Sequence, residues 1–394
     1  MPLSHRITNL NEGGSDGWDL FNRARRMIAA GVPVVELTIG EHDIRTAPAI
    51  LQEMHRSAMA GHTGYASVPG TPALRDAIAA RITERTGVKT TRDNISVTSG
   101  GQAALFAAHT ATCNQGDTAL FIDPYYATYP GTIRGVGAVP KSVPASADKG
   151  FQPQAEDIRA ASRTTSPAAS LLINSPNNPT GVIYTDETLR GIAQVCHDQD
   201  MWLISDEVYD TQIWNGHHLS PRALPDMAER TLVIGSMSKS HAMTGSRIGW
   251  IAGPPDAIEH LINLATNTTY GVPGYIQDAA LFALNQGPAL ETEVAAPFAR
   301  RRKIAQDLLA GSNALRHVPC DGAMYIMLDI RATGMSGEDF AEALLDSEQI
   351  AVMPGESFGT AAAGHLRIAM TVDDTTFAQA LARIIAFAEA RISP

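Results

Sequence analysis

The chain has 394 residues, 44% of them hydrophobic and 18% charged, a globular composition too long for one simple core, so two domains are expected. Its formal net charge of −11 argues against nucleic acid and anionic membranes as partners, because both are met by a basic patch. Cys113, Cys196 and Cys320 are scattered without a CxxC, and the histidines hold no H-E-x-x-H, so neither a disulfide frame nor a metal site is expected.

In chain order, the first strand-like run is Leu37-Thr-Ile-Gly40, and further runs fall at 94–99, 118–123, 169–174, 201–206, 231–235 and 247–252. Helical periods lie between several of them. In Asp186–His197, for example, Leu189, Ile192, Ala193 and Cys196 share one face, with Cys196 as a small packing residue. This alternation predicts an α/β fold with a mostly parallel central sheet and helices on both faces. His217-His218, ahead of Leu-Ser-Pro, reads as a solvated loop. After Gly271-Val-Pro-Gly274 the pattern changes. A helix from about Leu290 to Leu309 carries Arg300-Arg-Arg-Lys303, which reads as a solvated face. A strand over 322–330, a helix over Gly337–Ser347, strands near 350–353 and 365–369, and a last helix from Thr375 to Ile392 complete a smaller α+β domain. The expected division is 1–44 as an N-terminal segment joining the small domain, 45–285 as the large domain, and 286–394 as the small C-terminal domain. No apolar stretch reaches transmembrane length and the polar N-terminus is no signal peptide, so a cytoplasmic protein is expected.

Four strands run into polar segments at their C-terminal ends, where open α/β sheets bind ligands. Ile95-Ser-Val-Thr-Ser99-Gly100-Gly101-Gln102 turns into a helix, whose free N–H groups and positive dipole end suit a phosphate. It lacks the G-x-G-x-x-G of a dinucleotide site. Leu171-Leu-Ile-Asn-Ser-Pro-Asn177-Asn178-Pro179-Thr180-Gly181 enters a turn that Pro179 fixes. Leu203-Ile-Ser-Asp206-Glu-Val-Tyr209 is the third. The fourth is Thr231-Leu-Val-Ile-Gly, followed by Ser236-Met-Ser238-Lys239 and, beyond Gly245, by Arg247. Two hydroxyls and an arginine suit a phosphate dianion, which leaves the lysine free for another task. No glycine directly precedes Lys239, so this is not a nucleotide P-loop. A lysine beside a phosphate site is the arrangement a Schiff base with pyridoxal 5′-phosphate needs. Asp206 would keep the ring nitrogen of that cofactor protonated, and Tyr209 and Asn178 would bond its phenolic oxygen. Each segment taken singly also reads as an ordinary turn.

In this order the four segments resemble the fold-type I pyridoxal-phosphate enzymes, in particular the class I/II aminotransferases, from Leu37-Thr-Ile-Gly40 to His365-Leu-Arg367-Ile. The resemblance implies that Lys239 is the catalytic Schiff-base lysine and that Asp206 pairs with the pyridine nitrogen. It implies that Tyr126, rather than the adjacent Tyr125, stacks on the ring, and that Gly101, Gln102, Ser236, Ser238 and Arg247 hold the phosphate. Arg367 would grip the substrate α-carboxylate, with Gly40 and Asn178 also at the substrate. The other reading of Arg367 is an exposed pair with a surface carboxylate. Tyr65, in Gly64-Tyr65-Ala-Ser-Val-Pro-Gly70, would reach the phosphate of the partner subunit in a homodimer with shared active sites. The implied function is ping-pong transfer of an amino group from an amino acid to a 2-oxo acid, with the Lys239 amine moving the α-proton.

Two other functions are compatible with parts of the pattern. The same residues would serve a C–S lyase (β-elimination) or a decarboxylase. A cofactor-binding regulator would need a DNA-binding domain, for which the stretch ahead of Leu37 is too short. The segments Ser205–Tyr209, Ser236–Gly245 and Tyr270–Ala280 look similar to arginine:pyruvate transaminases, although such segments mostly build the cofactor site. One departure stands out. The chain has Gly40-Glu-His42-Asp-Ile44 where the family usually has Gly-(Glu/Asp)-Pro-Asp-Phe; His42 could contact an acidic or polar side chain, but is expected simply to replace the proline.

Overall fold

The computed structural model describes residues 1–11, 18–163 and 168–392. A short strand β1 (Val35–Glu36) precedes the main sheet. That sheet is built from β2 (Ile95–Thr98), β3 (Thr118–Asp123), β4 (Val139–Pro144), β5 (Ala168–Asn174), β6 (Trp202–Asp206), β7 (Thr231–Ser236) and β8 (Gly249–Ala252). Its order is β2-β8-β7-β6-β5-β3-β4. Strands β7, β6, β5, β3 and β4 are mutually parallel, and β8 runs antiparallel to both β7 and β2. The apolar runs are buried on both faces, as a sheet covered by helices requires. Leu171, Ile173 and Leu203 pack with Leu189, Ile192 and Cys196 of the helix Asp186–Asp198. Their neighbours Leu172 and Ile204 point the other way, into a core with Ala104, Leu105 and Ala108 of the helix Gly101–Thr112. Strand β4 was not legible as a strand. It carries Pro140 and Pro144, which only an edge position tolerates, and it is the edge strand.

The C-terminal part contains β9 (Arg316–His317), β10 (Tyr325–Asp329), β11 (Ile350–Ala351), β12 (Met353–Pro354) and β13 (His365–Ala369). An antiparallel sheet has the order β12-β13-β10-β9, while β1 pairs in parallel with β11. Leu20, Ala24 and Leu37 share one core with Phe298, Phe340, Ile368 and Phe377, so the N-terminal segment packs with this part.

Two expectations are corrected. The basic run on the helix Pro288–Leu309 is not a solvated face. Arg301 is 3% exposed and binds Asp43 at 2.9 and 2.6 Å, Asp374 at 2.8 Å and the Met370 carbonyl at 2.9 Å. Arg302 donates to the Cys320 carbonyl, while Lys303 stays exposed beside Asp307. Four consecutive residues cover a full helical turn and cannot share one face. His217 is exposed, but His218 lies largely buried with Nε2 3.2 Å from Glu207 Oε2. The residue beside Asp206 thus takes a histidine that sequence had left to solvent. Among the described residues, no helix is long and apolar enough to cross a membrane, and no group of three or more His, Cys, Asp or Glu is placed to hold a metal ion.

Candidate active site

Sheet register assembles the site. Asn174 pairs with Asp206 across β5 and β6, Asp206 with Ile234 across β6 and β7, and Ser236 with Gly249 across β7 and β8. Because β2 is antiparallel to β8, it runs in the direction of β7, and its polar end faces the same edge. These ends open on a cleft of about 310 Å³. Every residue assigned to the site from sequence, apart from Tyr65, lines this cleft.

At one end lies a place for an anion. The helix Gly101–Thr112 begins after Gly100, at φ 86°, and no side chain caps its first turn. A Cβ on Gly100 would stand 2.4 Å from Arg247 Nη2, so only glycine lets the guanidinium lie against the helix N-terminus. Arg247 itself sits at φ 50°, a left-handed conformation that costs about 1–3 kcal/mol and survives only where the surroundings enforce it. Its Nη1 donates to the Thr244 carbonyl at 2.8 Å. Ser236 Oγ lies 3.0 Å from Ser238 Oγ, which brings both hydroxyls together. Gln102 departs from its assigned role in one respect. Its Nε2 donates to Thr132 Oγ1 at 2.7 Å and its Oε1 accepts from Thr128 Oγ1 at 3.1 Å, so one amide N–H and the amide oxygen are already engaged.

Asp206 forms the deep wall. Burial pushes its carboxyl up to about 6, against hydrogen bonds from the Tyr129 hydroxyl at 2.7 Å and the Val208 amide at 3.3 Å, which favour the ionised form. Burial, and the adjacent carboxylate, raise the Tyr129 phenol well above its ordinary range, so it stays a donor. Tyr129 received no role from sequence. It follows Tyr126 by three residues, its N–H donates to the Tyr126 carbonyl at 2.9 Å, and both residues line the cleft. Tyr325 was also missed. Its hydroxyl lies 3.1 Å from that of Tyr209, and nothing in an apolar strand pattern marks it. Tyr126 lines the cleft, whereas Tyr125 packs on Phe121 with ring centroids 4.9 Å apart.

Arg367, 4% exposed, faces Met327 across β10 and β13. Its Nη1 donates to Asn178 Oδ1 at 2.9 Å, its Nη2 donates to the Thr38 carbonyl, and its guanidinium lies 4.5 Å from the Tyr325 ring centroid and 4.3 Å from that of Phe358. Buried Nε has no partner, and Arg367 makes no ion pair among the described residues. The surface-pair reading is therefore wrong: the side chain is an enclosed, charged fork without a carboxylate. With Oδ1 of Asn178 accepting from Arg367, its Nδ2 is left to donate into the cleft.

Lys239 Nζ donates to the Gly40 carbonyl. A Cβ on Gly40 would stand 1.8 Å from the Tyr325 hydroxyl, so this backbone approach also requires glycine. His42 is not a stand-in for proline. Its Nε2 lies 3.0 Å from the Lys239 carbonyl, and its ring meets Phe298 edge-on with centroids 5.3 Å apart. Tyr65 stands outside its own chain's cleft, 93% exposed, against Tyr270. The donor set fits a planar, phosphate-bearing aldehyde with a ring nitrogen. There is a dianion cradle of hydroxyls, helix N-terminus and arginine, a buried carboxylate, an aromatic wall and a primary amine.

The chain matches the family described as aminotransferase class I and II over residues 32–384. It is 40% identical over 372 residues to an arginine–pyruvate transaminase of Pseudomonas aeruginosa, covering 94% of each chain. It is 35% identical to a probable aspartate/prephenate aminotransferase of Thermus aquaticus, over 97% of this chain and 98% of that one. An aspartate aminotransferase from Thermus thermophilus, solved with maleate, superposes with a TM-score of 0.90 at 32% identity, covering 98% of this chain and all of the other.

Proposed function

The chain belongs to the class I and II aminotransferases, and from that premise we propose that it transfers the amino group by way of pyridoxal 5′-phosphate held in the cleft by Lys239, with Arg367 gripping every substrate. The transfer itself is from an amino acid to a 2-oxo acid, as in its named relatives. One observation carries the finer reading. A buried arginine with an unpartnered Nε and no carboxylate faces the same cleft as the Lys239 amine and the buried Asp206.

When bound, pyridoxal 5′-phosphate supplies an aldehyde that condenses with amines and a protonated ring that accepts the electrons of a breaking Cα–H bond. Arg247, Ser236, Ser238 and the backbone N–H groups of Gly101 and Gln102 would bind its phosphate. The Asp206 carboxylate, held by Tyr129, would keep a proton on its ring nitrogen. Asn178 Nδ2 and the Tyr209 hydroxyl would donate to its phenolic oxygen, and Tyr126 would pack against its ring. Arg367 binds the α-carboxylate of donor and acceptor alike, so both present the same carbon to Lys239. The Lys239 amine would take the proton from the substrate α-carbon and later give a proton back, acting first as base and then as acid. Release of the oxo acid before the second substrate binds makes the kinetics ping-pong. The reading includes a homodimer in which Tyr65 serves the phosphate of the partner subunit, and the division into a large domain over 45–285 and a small one over 286–394 with residues 1–44. The reading also takes the protein to work in the cytoplasm.

The test is a matrix of amino donors against pyruvate and 2-oxoglutarate with the cofactor-loaded protein, starting with arginine and pyruvate. Parallel half-reactions with donor alone should release the oxo acid in an amount matching the enzyme. Release of pyruvate and ammonia from a cysteine conjugate, without transfer to any oxo acid, would replace this reading by β-elimination.

A further inference from the structure

The loop over 40–46 lies along the lysine segment and touches it repeatedly. Gly40 accepts from Lys239 Nζ, His42 Nε2 meets the Lys239 carbonyl at 3.0 Å, and Thr46 donates to the Ala242 carbonyl at 2.6 Å. The same carbonyl of Lys239 receives a longer contact from Gln212 at 3.4 Å. Because the carbonyl only accepts, His42 must donate from Nε2–H, and its Nδ1 is then the bare nitrogen. Nδ1 is buried without a partner, so a second ring proton would find no acceptor. Burial first, then the nearby Lys239 charge, lower the imidazole to about 4, against the hydrogen bond to the Lys239 carbonyl and the Asp43 charge and with Arg301 assisting, so the ring is neutral near neutral pH.

The loop is fastened at its other side to the helix Pro288–Leu309. The His42 ring packs edge-on against Phe298, and Asp43 takes both terminal nitrogens of Arg301, at 2.9 and 2.6 Å. Arg301 in turn holds Asp374 and the Met370 carbonyl, each side of the start of the last helix. A lysine side chain is a flexible stem, and its amine stands where its backbone allows. A proline at position 42 could supply neither the donor nor the ring contact.

We propose that His42 is a positioning residue for Lys239, tying the lysine backbone to the helix Pro288–Leu309 so that the amine is held in register with the cleft. This rests on the reading of Lys239 as the cofactor-bearing group and adds a residue that acts only through it. Loss of the Nε2 donor lets the lysine backbone drift while leaving Arg367, and therefore substrate binding, in place.

The experiment compares wild type with His42→Phe, which keeps an aromatic ring against Phe298 and removes the donor, with His42→Leu as a second donor-free variant, and with His42→Gln, which restores an N–H. Three readouts are taken: the rate at which apoprotein captures added pyridoxal 5′-phosphate, the visible circular dichroism of the bound cofactor, and kcat and KM with a good donor. Thermal melting of each apoprotein is measured alongside. The donor-free variants should capture the cofactor more slowly, give an altered dichroism band, and lose up to about tenfold in kcat, the worth of one ordinary hydrogen bond, with KM within about twofold. His42→Gln should recover most of the loss. Wild-type capture and dichroism in either folded donor-free variant would overturn the proposal, as would equal losses in His42→Gln and His42→Phe. A wild-type protein that captured the cofactor but transferred no amino group would overturn the transaminase reading instead, and capture and dichroism would still decide the role of His42.

Discussion

Replacing Arg367 by lysine tests the substrate grip most directly. Lysine keeps the charge but offers a single ammonium where the guanidinium offers a planar fork. In place, Arg367 uses Nη1 on Asn178 and Nη2 on Thr38 and is stacked between Tyr325 and Phe358, so its plane is fixed before any substrate arrives. A lysine cannot hold both contacts and also meet two carboxylate oxygens. Breaking one side of a buried charged pair costs about 2–5 kcal/mol. Because the charge survives in this variant, the lower part of that range applies. About 2–3 kcal/mol corresponds to a fall in kcat/KM of roughly 30- to 150-fold by the tenfold-per-1.36 rule. The loss should be common to all amino donors and all oxo-acid acceptors, with cofactor absorbance retained. Steady-state kinetics over the donor and acceptor matrix measure it, and the melting temperature shows whether orphaning the Asn178 and Thr38 oxygens has unfolded the protein. A fall of less than about threefold for every substrate, under 1 kcal/mol, would refute the reasoning. A loss confined to one class of side chain would assign Arg367 to side-chain selection.

Other outcomes follow from the same geometry. Lys239→Ala should abolish turnover and leave the cofactor removable by dialysis, which absorbance after gel filtration reports; near-wild-type transfer would remove Lys239 from its role. Asp206→Asn should slow turnover greatly in the loaded enzyme while altering apoprotein stability in a pH-dependent way. The Asp206 carboxyl is raised from 3.8 to about 6, so the stability it contributes is full below its unfolded value and is lost as pH rises through about 6. The apoprotein of Asp206→Asn should therefore melt higher relative to wild type at about pH 7 than at about pH 5, and a difference independent of pH would contradict the buried, raised carboxyl. Mixing Lys239→Ala subunits with Tyr65→Phe subunits should yield more activity than the sum of the two, because one site per mixed dimer regains both groups; strictly additive activity would rule out shared sites.

Much of this site was legible because its chemistry sits at strand ends. An apolar run followed by a hydroxyl, lysine or carboxylate marks both the strand and the point where it leaves the core, and parallel pairing then brings Asn174, Asp206 and Ser236 to one edge. The choice between Tyr125 and Tyr126 was not a matter of pattern, since neighbouring residues point in different directions and only the fold says which faces the cleft. The reading of Arg300–Lys303 as one solvated face failed because a charge run reports composition, while burial depends on what packs against each side of the helix.

The strand and helix alternation and the motifs at the C-terminal strand ends could be read from the chain alone, because these depend on local periodicity and residue chemistry. Tertiary packing supplied the contacts. It set Tyr129 against Asp206, buried Arg367 with no ion-pair partner among the described residues, tied the Gln102 amide to Thr132 and placed His42 under the Lys239 carbonyl. Each of these contacts joins residues well apart in the chain. Their partners are chosen by sheet register and by how the N-terminal loop is packed against the helix Pro288–Leu309, and no local pattern encodes either.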